Sequence, residues 1–214
     1  MPIETFLVSF TTYFATIGPA DIVVLFAALT AGATAAERRA MVFKGVVIGG
    51  AVLLFFVFFG EPLLSIFGIS LPALRTAGGI LLLLISIDMV FARSSGGTST
   101  TDEENAEAAS SSDISVFPLA TPLIAGPGAI GATILLMADA SGDPSRQVAV
   151  VAGLLLILML TYLFLLGATQ LQRILGFTVL HVISRIVGVL LAALSVQFIF
   201  DGLMTSGLLG RMSL

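Results

Sequence analysis

Long apolar stretches separated by shorter polar ones run through the chain and predict six membrane-spanning helices. The apolar stretches cover residues 4–29, 40–59, 72–92, 115–138, 147–168 and 183–206. Each is close to the roughly 20 residues that cross a bilayer core as a helix. The stretches are continuous, whereas the strands of a membrane barrel alternate over about ten residues, so the predicted fold is all-helical. Residues 62–70 are too few to span and are predicted to form a loop or an interfacial turn.

One polar stretch divides the predicted helices into two groups of three. Residues 94–113 contain five acidic residues, many small polar residues and no large apolar residue. This composition is typical of a flexible linker. The predicted organisation is therefore a first three-helix unit at 1–93, an acidic linker at 94–113 and a second three-helix unit at 114–214.

Composition excludes several classes of protein. Hydrophobic residues make up 57% of the chain and charged residues 10%, against roughly 25% charged in an average soluble protein, so neither a soluble globule nor a disordered chain is expected. The chain has no cysteine and one histidine, His181, which is predicted to lie in a loop. No metal or other cofactor is expected, and without a basic patch no nucleic acid is an expected partner.

The distribution of basic residues predicts the orientation in the membrane. Six spans create two alternating sides, and the excess of Lys and Arg marks the cytoplasmic side. One side receives six basic residues and the other receives three, which are Arg75, Arg146 and Arg211. Both termini are therefore predicted to be periplasmic, with the 94–113 linker in the cytoplasm. No basic residue precedes the first apolar run, which argues against a cleaved signal peptide.

The two halves repeat one another weakly but in order. The first span contains Gly18-Pro19-Ala20-Asp21, and the fourth contains Gly126-Pro127-Gly128-Ala129. The third span opens with Arg75 and has Gly78 three residues later, as the sixth opens with Arg185 and has Gly188. Residues 85–88 also match residues 194–197 after a gap of one residue. Because each half has an odd number of spans, the second half must be inserted upside down, which defines an inverted repeat.

The paired Gly-Pro sequences predict a binding site near the middle of the membrane. Proline cannot donate a backbone hydrogen bond and glycine adopts unusual backbone angles, so both favour a broken helix. The freed backbone groups must face protein or a wet cavity, as in transporters whose broken helices bind substrate at the midplane. The predicted substrate-binding residues are Thr16, Gly18, Pro19, Ala20, Asp21, Thr121, Pro122, Gly126, Pro127 and Gly128. The alternative is that Gly and Pro only kink these helices.

The fourth span resembles a known family. Its sequence from Phe117 to Ile130, FPLATPLIAGPGAI, is similar to the signature of the MarC family of bacterial inner-membrane proteins. The six spans, the polar linker and Asp201-Gly202 in the sixth span agree with this resemblance. It implies an inner-membrane protein of the lysine exporter superfamily, whose MarC members include proteins described as transporters of glycine and alanine.

The first span departs from the family pattern. The family usually has Asn-Pro where this chain has Gly18-Pro19, and often has a second proline where this chain has Val24. Asp21 replaces a residue that is more often small. This chain therefore lacks the asparagine amide that the family usually has at position 18, and it has the carboxylate of Asp21 three residues later.

The candidates for coupling or a polar relay are Asp21, Asp88 and Gln197. Asp21 is predicted to carry a proton or to contact a substrate ammonium group, with a favourable position in the first turn of a half-helix as the alternative. Asp88 and Gln197 occupy matched places late in the third and sixth spans, where interfacial or interhelical structural roles compete. Arg75 is expected to extend to lipid headgroups, with an ion pair to Glu61 as the alternative.

The sequence therefore predicts a secondary transporter of a small neutral amino acid, working by alternating access with proton or sodium coupling. A channel-like facilitator with inverted half-helices, as in aquaporins, and an exporter of another small metabolite are the alternatives. No enzymatic activity is expected. The predicted partners are the lipid bilayer, a small-molecule substrate and a second copy of the chain. Gly45 and Gly49 are predicted to allow close helix packing.

Overall fold

The computed structural model describes residues 1–30, 32–91 and 113–206, without the side chains of residues 169, 171–181, 183 and 184. Every regular element in these ranges is helical. The elements are α1 (Pro2–Ile17), α2 (Pro19–Leu29), α3 (Ala35–Ile66), α4 (Leu71–Phe91), α5 (Ser115–Ile124), α6 (Pro127–Asp139), α7 (Pro144–Leu166) and α8 (Ala168–Thr205). Of the predicted linker, residues 94–112 lie outside the described residues, and Asp113 lies within them.

The described helices are long and apolar enough to cross a membrane several times. Five candidate spans stand alone, the first of which joins α1 and α2 over 28 residues. A sixth is obtained when α5 and α6, which meet at an angle of 50°, are counted as one bent span. The described residues thus form an all-helical, multi-pass membrane protein.

Two predicted boundaries are wrong because the helices extend well beyond the apolar stretches. The segment 62–70, predicted as a loop, is helical as far as Ile66, with Pro62 inside α3. The sixth helix begins at Ala168 rather than near residue 183, so the backbone of His181 is helical and Arg185 lies within α8. Hydropathy predicts which residues lie within the lipid. A helix can continue beyond these residues into polar surroundings, because its backbone hydrogen bonds are internal.

Glycines bring the helices into close contact. A Cβ atom added to Gly45 would lie 3.1 Å from the Ser115 carbonyl oxygen, and one added to Gly49 would lie 3.2 Å from that of Ala120. The backbones of α3 and α5 therefore approach more closely than larger residues would allow, which confirms the predicted role of this glycine pair.

Ion pairs and hydrogen bonds define two ends of the helix bundle. At the first, the Arg75 end, Asp139 at the end of α6 meets Arg75 of α4 and Arg146 of α7. At the second, the Lys44 end, Lys44 of α3 meets Asp113, just before α5. Consecutive spans run in opposite directions between these ends.

Candidate functional site

The first Gly-Pro pair separates α1 from α2. Gly18 has φ 62° and ψ 57°, in the left-handed region that glycine adopts without steric cost. Its N–H donates to the Phe14 carbonyl and its carbonyl accepts from the Asp21 N–H, each over 3.0 Å. Pro19 is the first residue of α2, and no side chain caps this helix at Gly18. The new helix thus begins with its N-terminus buried inside the protein.

The second Gly-Pro pair separates α5 from α6. Gly126 is extended, with φ −79° and ψ 168°, and Pro127 is the first residue of α6. No side chain caps α6 at Gly126. Gly126 and Gly128 are buried, whereas Pro127 is exposed. Both Gly-Pro pairs therefore place an uncapped helix N-terminus, with its partial positive charge, among buried residues.

The segment before the second pair is irregular. Within α5, Phe117 and Thr121 have extended backbone angles. The N–H groups of Leu119 and Ala125 donate to carbonyls five residues earlier, over 3.1 and 2.8 Å. Pro118 and Pro122 remove two further donors. The predicted site residues Thr121 and Pro122 are both half-buried in this segment.

The regions around the two pairs contact one another through Thr16 and Gly128. A Cβ added to Gly128 would lie 4.0 Å from the Cβ of Thr16 and 2.3 Å from Cδ1 of Ile85. The atoms nearest to a Cβ on Gly18, by contrast, belong to Asp21 and Ala15 of its own span. Of the predicted site residues, Thr16 and Gly128 are thus the ones that these contacts bring together.

The polar side chains of the predicted site have local partners. The buried Thr16 hydroxyl donates to the Thr12 carbonyl over 2.9 Å, and the Thr121 hydroxyl donates to the Val116 carbonyl over 3.3 Å. Asp21 is half-buried in the first turn of α2, where a carboxylate is favoured by the helix dipole. Ala20 is buried beside it.

The other two relay candidates lie elsewhere. Gln197 is exposed, and its amide donates over 2.8 Å to Asp201, one turn later in the same helix. Asp88 is half-buried near the end of α4. The described residues include no group of three or more His, Asp or Glu side chains that could hold a metal ion.

A stripe of buried hydroxyls on α1 was missed by the sequence analysis. Ser9, Thr12, Tyr13 and Thr16 follow one another at helical spacing, and all four are buried. Within the described structure the Ser9 and Tyr13 hydroxyls make no hydrogen bond, although Thr133 of α6 lies beside Tyr13. Residues at i, i+3, i+4 and i+7 share one helix face, so the pattern was readable in the sequence.

Helix α7 carries a further buried hydroxyl, that of Thr161. A Cβ on Gly153 would lie 3.1 Å from the Cβ of Ser9, and Nε of Arg146 donates to the Thr5 hydroxyl, so α7 runs parallel to α1. Thr161 follows Gly153 by about 12 Å along α7. Because Gly153 lies beside Ser9 and the two helices are parallel, Thr161 lies at about the same level as Ile17 of α1. Its buried hydroxyl also makes no hydrogen bond in the described structure.

Ion pairs close the Arg75 end. Asp139 accepts from Arg75 and, over 3.1 Å, from Arg146. The predicted extension of Arg75 to lipid headgroups is wrong, because its side chain is only 19% exposed and is held by Asp139. The alternative pair with Glu61 is not formed either, since Glu61 accepts from the Ser141 hydroxyl over 3.3 Å.

The Lys44 end has a more exposed ion pair. Nζ of Lys44 donates to Asp113 over 2.8 Å, and the Ser115 N–H donates to the same carboxylate over 2.9 Å. These hydrogen bonds lower the pKa of Asp113 to about 2. Both side chains of the ion pair are about half exposed.

The described part of the chain has a cavity at each end of the bundle. An open groove of about 810 Å³ at the Arg75 end lies between α3, α6 and α7 and includes Glu61 and Gln147. A second cavity, of about 340 Å³, lies at the Lys44 end, where α2 meets α3 and α7 meets α8. We name it the Arg38 cavity. Its lining residues are Phe26, Ala27, Thr30, Ala33, Ala35, Arg38, Arg39, Val42, Leu165, Leu166, Ala168 and Gln170.

The fold and these contacts define a multi-pass integral membrane protein with polar groups buried between its helices. Comparison with known proteins gives the family. The sequence model described as MarC family integral membrane protein matches residues 3–206, and the chain belongs to the MarC family.

Relatives of similar length occur in archaea and bacteria. UPF0056 membrane protein MJ1677 of Methanocaldococcus jannaschii is 39% identical over 203 residues, covering 95% of this chain and 98% of the relative. YvbG of Bacillus subtilis is 37% identical, covering 91% and 92%. YhcE of Escherichia coli is 34% identical, covering 89% and 87%. Both are also named UPF0056 membrane proteins, and no solved structure matches the chain.

Proposed function

We propose that the chain is a secondary transporter that moves a small neutral amino acid, such as glycine or alanine, by alternating access. The observation that carries the proposal is the pair of uncapped, buried helix N-termini at Gly18 and Gly126, joined through the contact between Thr16 and Gly128. Buried helix ends without capping partners are costly unless another group satisfies their N–H groups. A bound substrate would be that group.

The chemistry of the site suits a zwitterion. The first-turn N–H groups of α2 and α6 and their partial positive charges would hold a carboxylate. The Asp21 carboxylate would hold the ammonium group or a coupling cation, or would carry a proton. The proposed transport involves no covalent chemistry, so no catalytic residue is assigned.

Reciprocal contacts support the proposed inverted repeat of residues 1–93 and 114–214. A Cβ on Gly79 of α4 would lie 2.7 Å from the Ser195 carbonyl of α8, and one on Gly188 of α8 would lie 3.3 Å from the Ser86 carbonyl of α4. The Ser86 and Ser195 hydroxyls each donate over 2.7 Å to the carbonyl three residues earlier. In each half, a glycine thus packs against the backbone of a serine in the other half.

The first two spans of each half show the same reciprocity. The spacing between Gly18 and Gly126 in the sequence is also the spacing between Gly45 and Gly153. Gly45 packs on the start of the fourth span at Ser115, and Gly153 packs on the first span at Ser9. This arrangement supports two half-helices, α2 and α6, that begin near the midplane and run in opposite directions, as in transporters with inverted repeats.

The buried hydroxyls support a polar path to this site. Thr5 contacts Arg146 at the Arg75 end, and Ser9, Tyr13 and Thr16 continue along α1 toward Gly18. A buried hydroxyl left without a partner costs about 1–3 kcal/mol, so a functional role for those of Ser9 and Tyr13 is favoured. A solute or proton moving between the Arg75 end and the Gly-Pro pairs would supply partners.

The two ends of the bundle are held together differently. The Arg75 end has the partly buried Arg75–Asp139–Arg146 ion pairs beside an open groove, whereas the Lys44 end has the more exposed Lys44–Asp113 pair and the Arg38 cavity. With both termini proposed to be periplasmic in a bacterial inner membrane, the Asp139 ion pairs would hold the helices together on the periplasmic side. Transport would require the ion pairs at Asp139 to separate.

Uptake into liposomes tests the proposal. The purified full chain would be reconstituted and given radiolabelled glycine and alanine, with and without a pH or sodium gradient. We expect saturable uptake that unlabelled alanine inhibits and that one of the two gradients drives. Failure to take up either amino acid under all of these conditions would reject the substrate, and non-saturable flux would favour a channel.

A further inference from the structure

We propose that the open groove at the Arg75 end binds a phospholipid whose headgroup ends in a primary ammonium group, as in phosphatidylethanolamine. We call this groove, which lies between α3, α6 and α7, the Glu61 groove. Its volume of about 810 Å³ falls within the usual range for ligand sites. None of its lining residues belongs to the Gly-Pro pairs, so this site is separate from the proposed transport site.

The Glu61 groove has a polar end and an apolar end. Glu61, Ser65 and Gln147 form the polar end, beside the loop that joins α6 to α7. Val57 lies one helical turn deeper than Glu61 on α3, and Leu155 lies about 12 Å deeper than Gln147 along α7. The lining therefore changes from polar to apolar toward the middle of the bundle. A phospholipid places its headgroup and its acyl chains in the same order.

The charge of the Glu61 groove favours a cation. Among the described residues that line it, Glu61 is acidic and none is basic. The arginines at this end of the bundle, Arg75 and Arg146, pair with Asp139 and do not line the groove. A cationic headgroup at the polar end would therefore be attracted by the Glu61 carboxylate without facing a competing basic residue in the lining.

The Glu61 carboxylate can accept further hydrogen bonds. In the described structure its oxygens accept from the Ser141 hydroxyl over 3.3 and 3.4 Å, which is longer than the usual distance of about 2.7–2.8 Å. A carboxylate has about four acceptor positions, and a primary ammonium group has three N–H donors. The amide oxygen of Gln147 is a second acceptor in the lining. A trimethylated ammonium group has no N–H, so ethanolamine is favoured over choline.

The apolar part of the groove suits an acyl chain but does not select among lipids. Phe58, Val148 and Leu155 line it and are exposed on the surface of the bundle. The acyl chains of any phospholipid can pack against these side chains, because lipid tails are as apolar as the residues themselves. The proposed preference for a primary ammonium headgroup therefore depends on Glu61, and an experiment must compare lipids that differ in their headgroups alone.

Native mass spectrometry of the purified full chain in detergent tests the proposal, because it counts bound lipids and protein chains in one measurement. Phosphatidylethanolamine and phosphatidylcholine with identical acyl chains would be added at equal concentrations, and the retained amounts compared. Glu61→Gln removes the carboxylate from the groove. Glu4→Gln is the matched control, since Glu4 is also exposed, precedes the contact of Thr5 with Arg146 at the same end, and does not line the groove.

We expect the unchanged chain and Glu4→Gln to retain about fivefold more phosphatidylethanolamine than phosphatidylcholine. Glu61→Gln should retain the two lipids equally. Ala152→Trp places a large side chain in the lining of the groove on α7 and should also abolish the preference. Ala51→Trp, at an exposed position of α3 outside the groove, should preserve it.

Equal retention of the two lipids by the unchanged chain would overturn the proposal, and this result needs no variant to fold. A preference for phosphatidylethanolamine that persists in Glu61→Gln would also overturn it. Dimers that Ala152→Trp, but not Ala51→Trp, converts to monomers would overturn it as well, because a second copy of the chain would then occupy the groove.

Discussion

A Cβ atom on Gly128 would lie 4.0 Å from the Cβ of Thr16, so the two Gly-Pro regions pack against one another through their neighbouring residues. Thr16 ends the stripe of buried hydroxyls on α1, and Gly128 lies in the first turn of α6. This contact unites two segments that are far apart in the sequence. It places the uncapped start of α6 beside the polar face of α1.

Gly128→Ala should destabilise the protein through one identifiable contact. The new methyl group would meet Cδ1 of Ile85 at 2.3 Å, so the end of this buried side chain must shift, at a cost of about 1 kcal/mol. Ile85→Val removes that Cδ1 atom, so the double variant should be more stable than the two single effects predict, by about 1 kcal/mol. Denaturant unfolding in mixed micelles of the four proteins measures this coupling. Strictly additive effects would contradict the contact.

Gly18→Ala should combine backbone strain with loss of binding. A non-glycine residue in the left-handed region costs about 1–2 kcal/mol, and the new Cβ would lie 3.3 Å from Oδ2 of Asp21. Gly68→Ala is the matched control, because Gly68 has φ 65° in open surroundings. We expect similar losses of stability in both variants but weaker alanine binding only in Gly18→Ala, measured by equilibrium dialysis. Equal alanine affinity in the two variants would remove Gly18 from the site.

The conformation of Gly18 also bears on the expected departure from the family pattern, in which asparagine usually precedes this proline. Asparagine adopts the left-handed region more readily than most other residues. Asn and Gly are thus interchangeable for the backbone at this position, although only Asn brings an amide. The sequence identified the position but could not show that a left-handed residue is what the two have in common.

Asp21→Asn should uncouple transport from the proton gradient. The change keeps the size of the side chain but removes its charge and its ability to carry a proton. We expect accumulation of labelled alanine driven by a pH gradient to fall about tenfold or more, while exchange of internal for external alanine continues. Asp201→Asn, near the end of α8 and away from Gly18, should leave both rates unchanged. Undiminished gradient-driven accumulation in Asp21→Asn would exclude the proton role.

Asp139→Asn should lower the stability of the protein by more than the loss of an exposed ion pair would. Asp139 neutralises two arginines, and its side chain and that of Arg146 are about one third exposed. We expect a loss of about 1–2 kcal/mol, between the values for exposed and buried pairs. Asp113→Asn breaks the more exposed pair with Lys44 and should cost less than about 1 kcal/mol. Equal losses in thermal unfolding would show that Asp139 has no special role.

The sequence was sufficient to predict the membrane spans and the family, because hydropathy and a long motif can both be read from neighbouring residues. It was insufficient for the ends of α3 and α8, because residues 62–70 were too few to span and the sixth apolar stretch began only at residue 183, whereas α3 continues to Ile66 and α8 begins at Ala168. It was also insufficient for the partner of Arg75, since Glu61 is nearer in sequence while Asp139 is nearer in space. Contacts between distant segments require the packed structure.

Binding of alanine and of alaninamide to the purified protein tests the central claim most directly. Alaninamide retains the ammonium group and the methyl group but lacks the carboxylate that the start of α2 and the start of α6 are proposed to hold. The account predicts that labelled alanine binds saturably and is displaced by unlabelled alanine but not by alaninamide at about a hundredfold higher concentration. Equal displacement by the two compounds, or no binding of alanine, would contradict it.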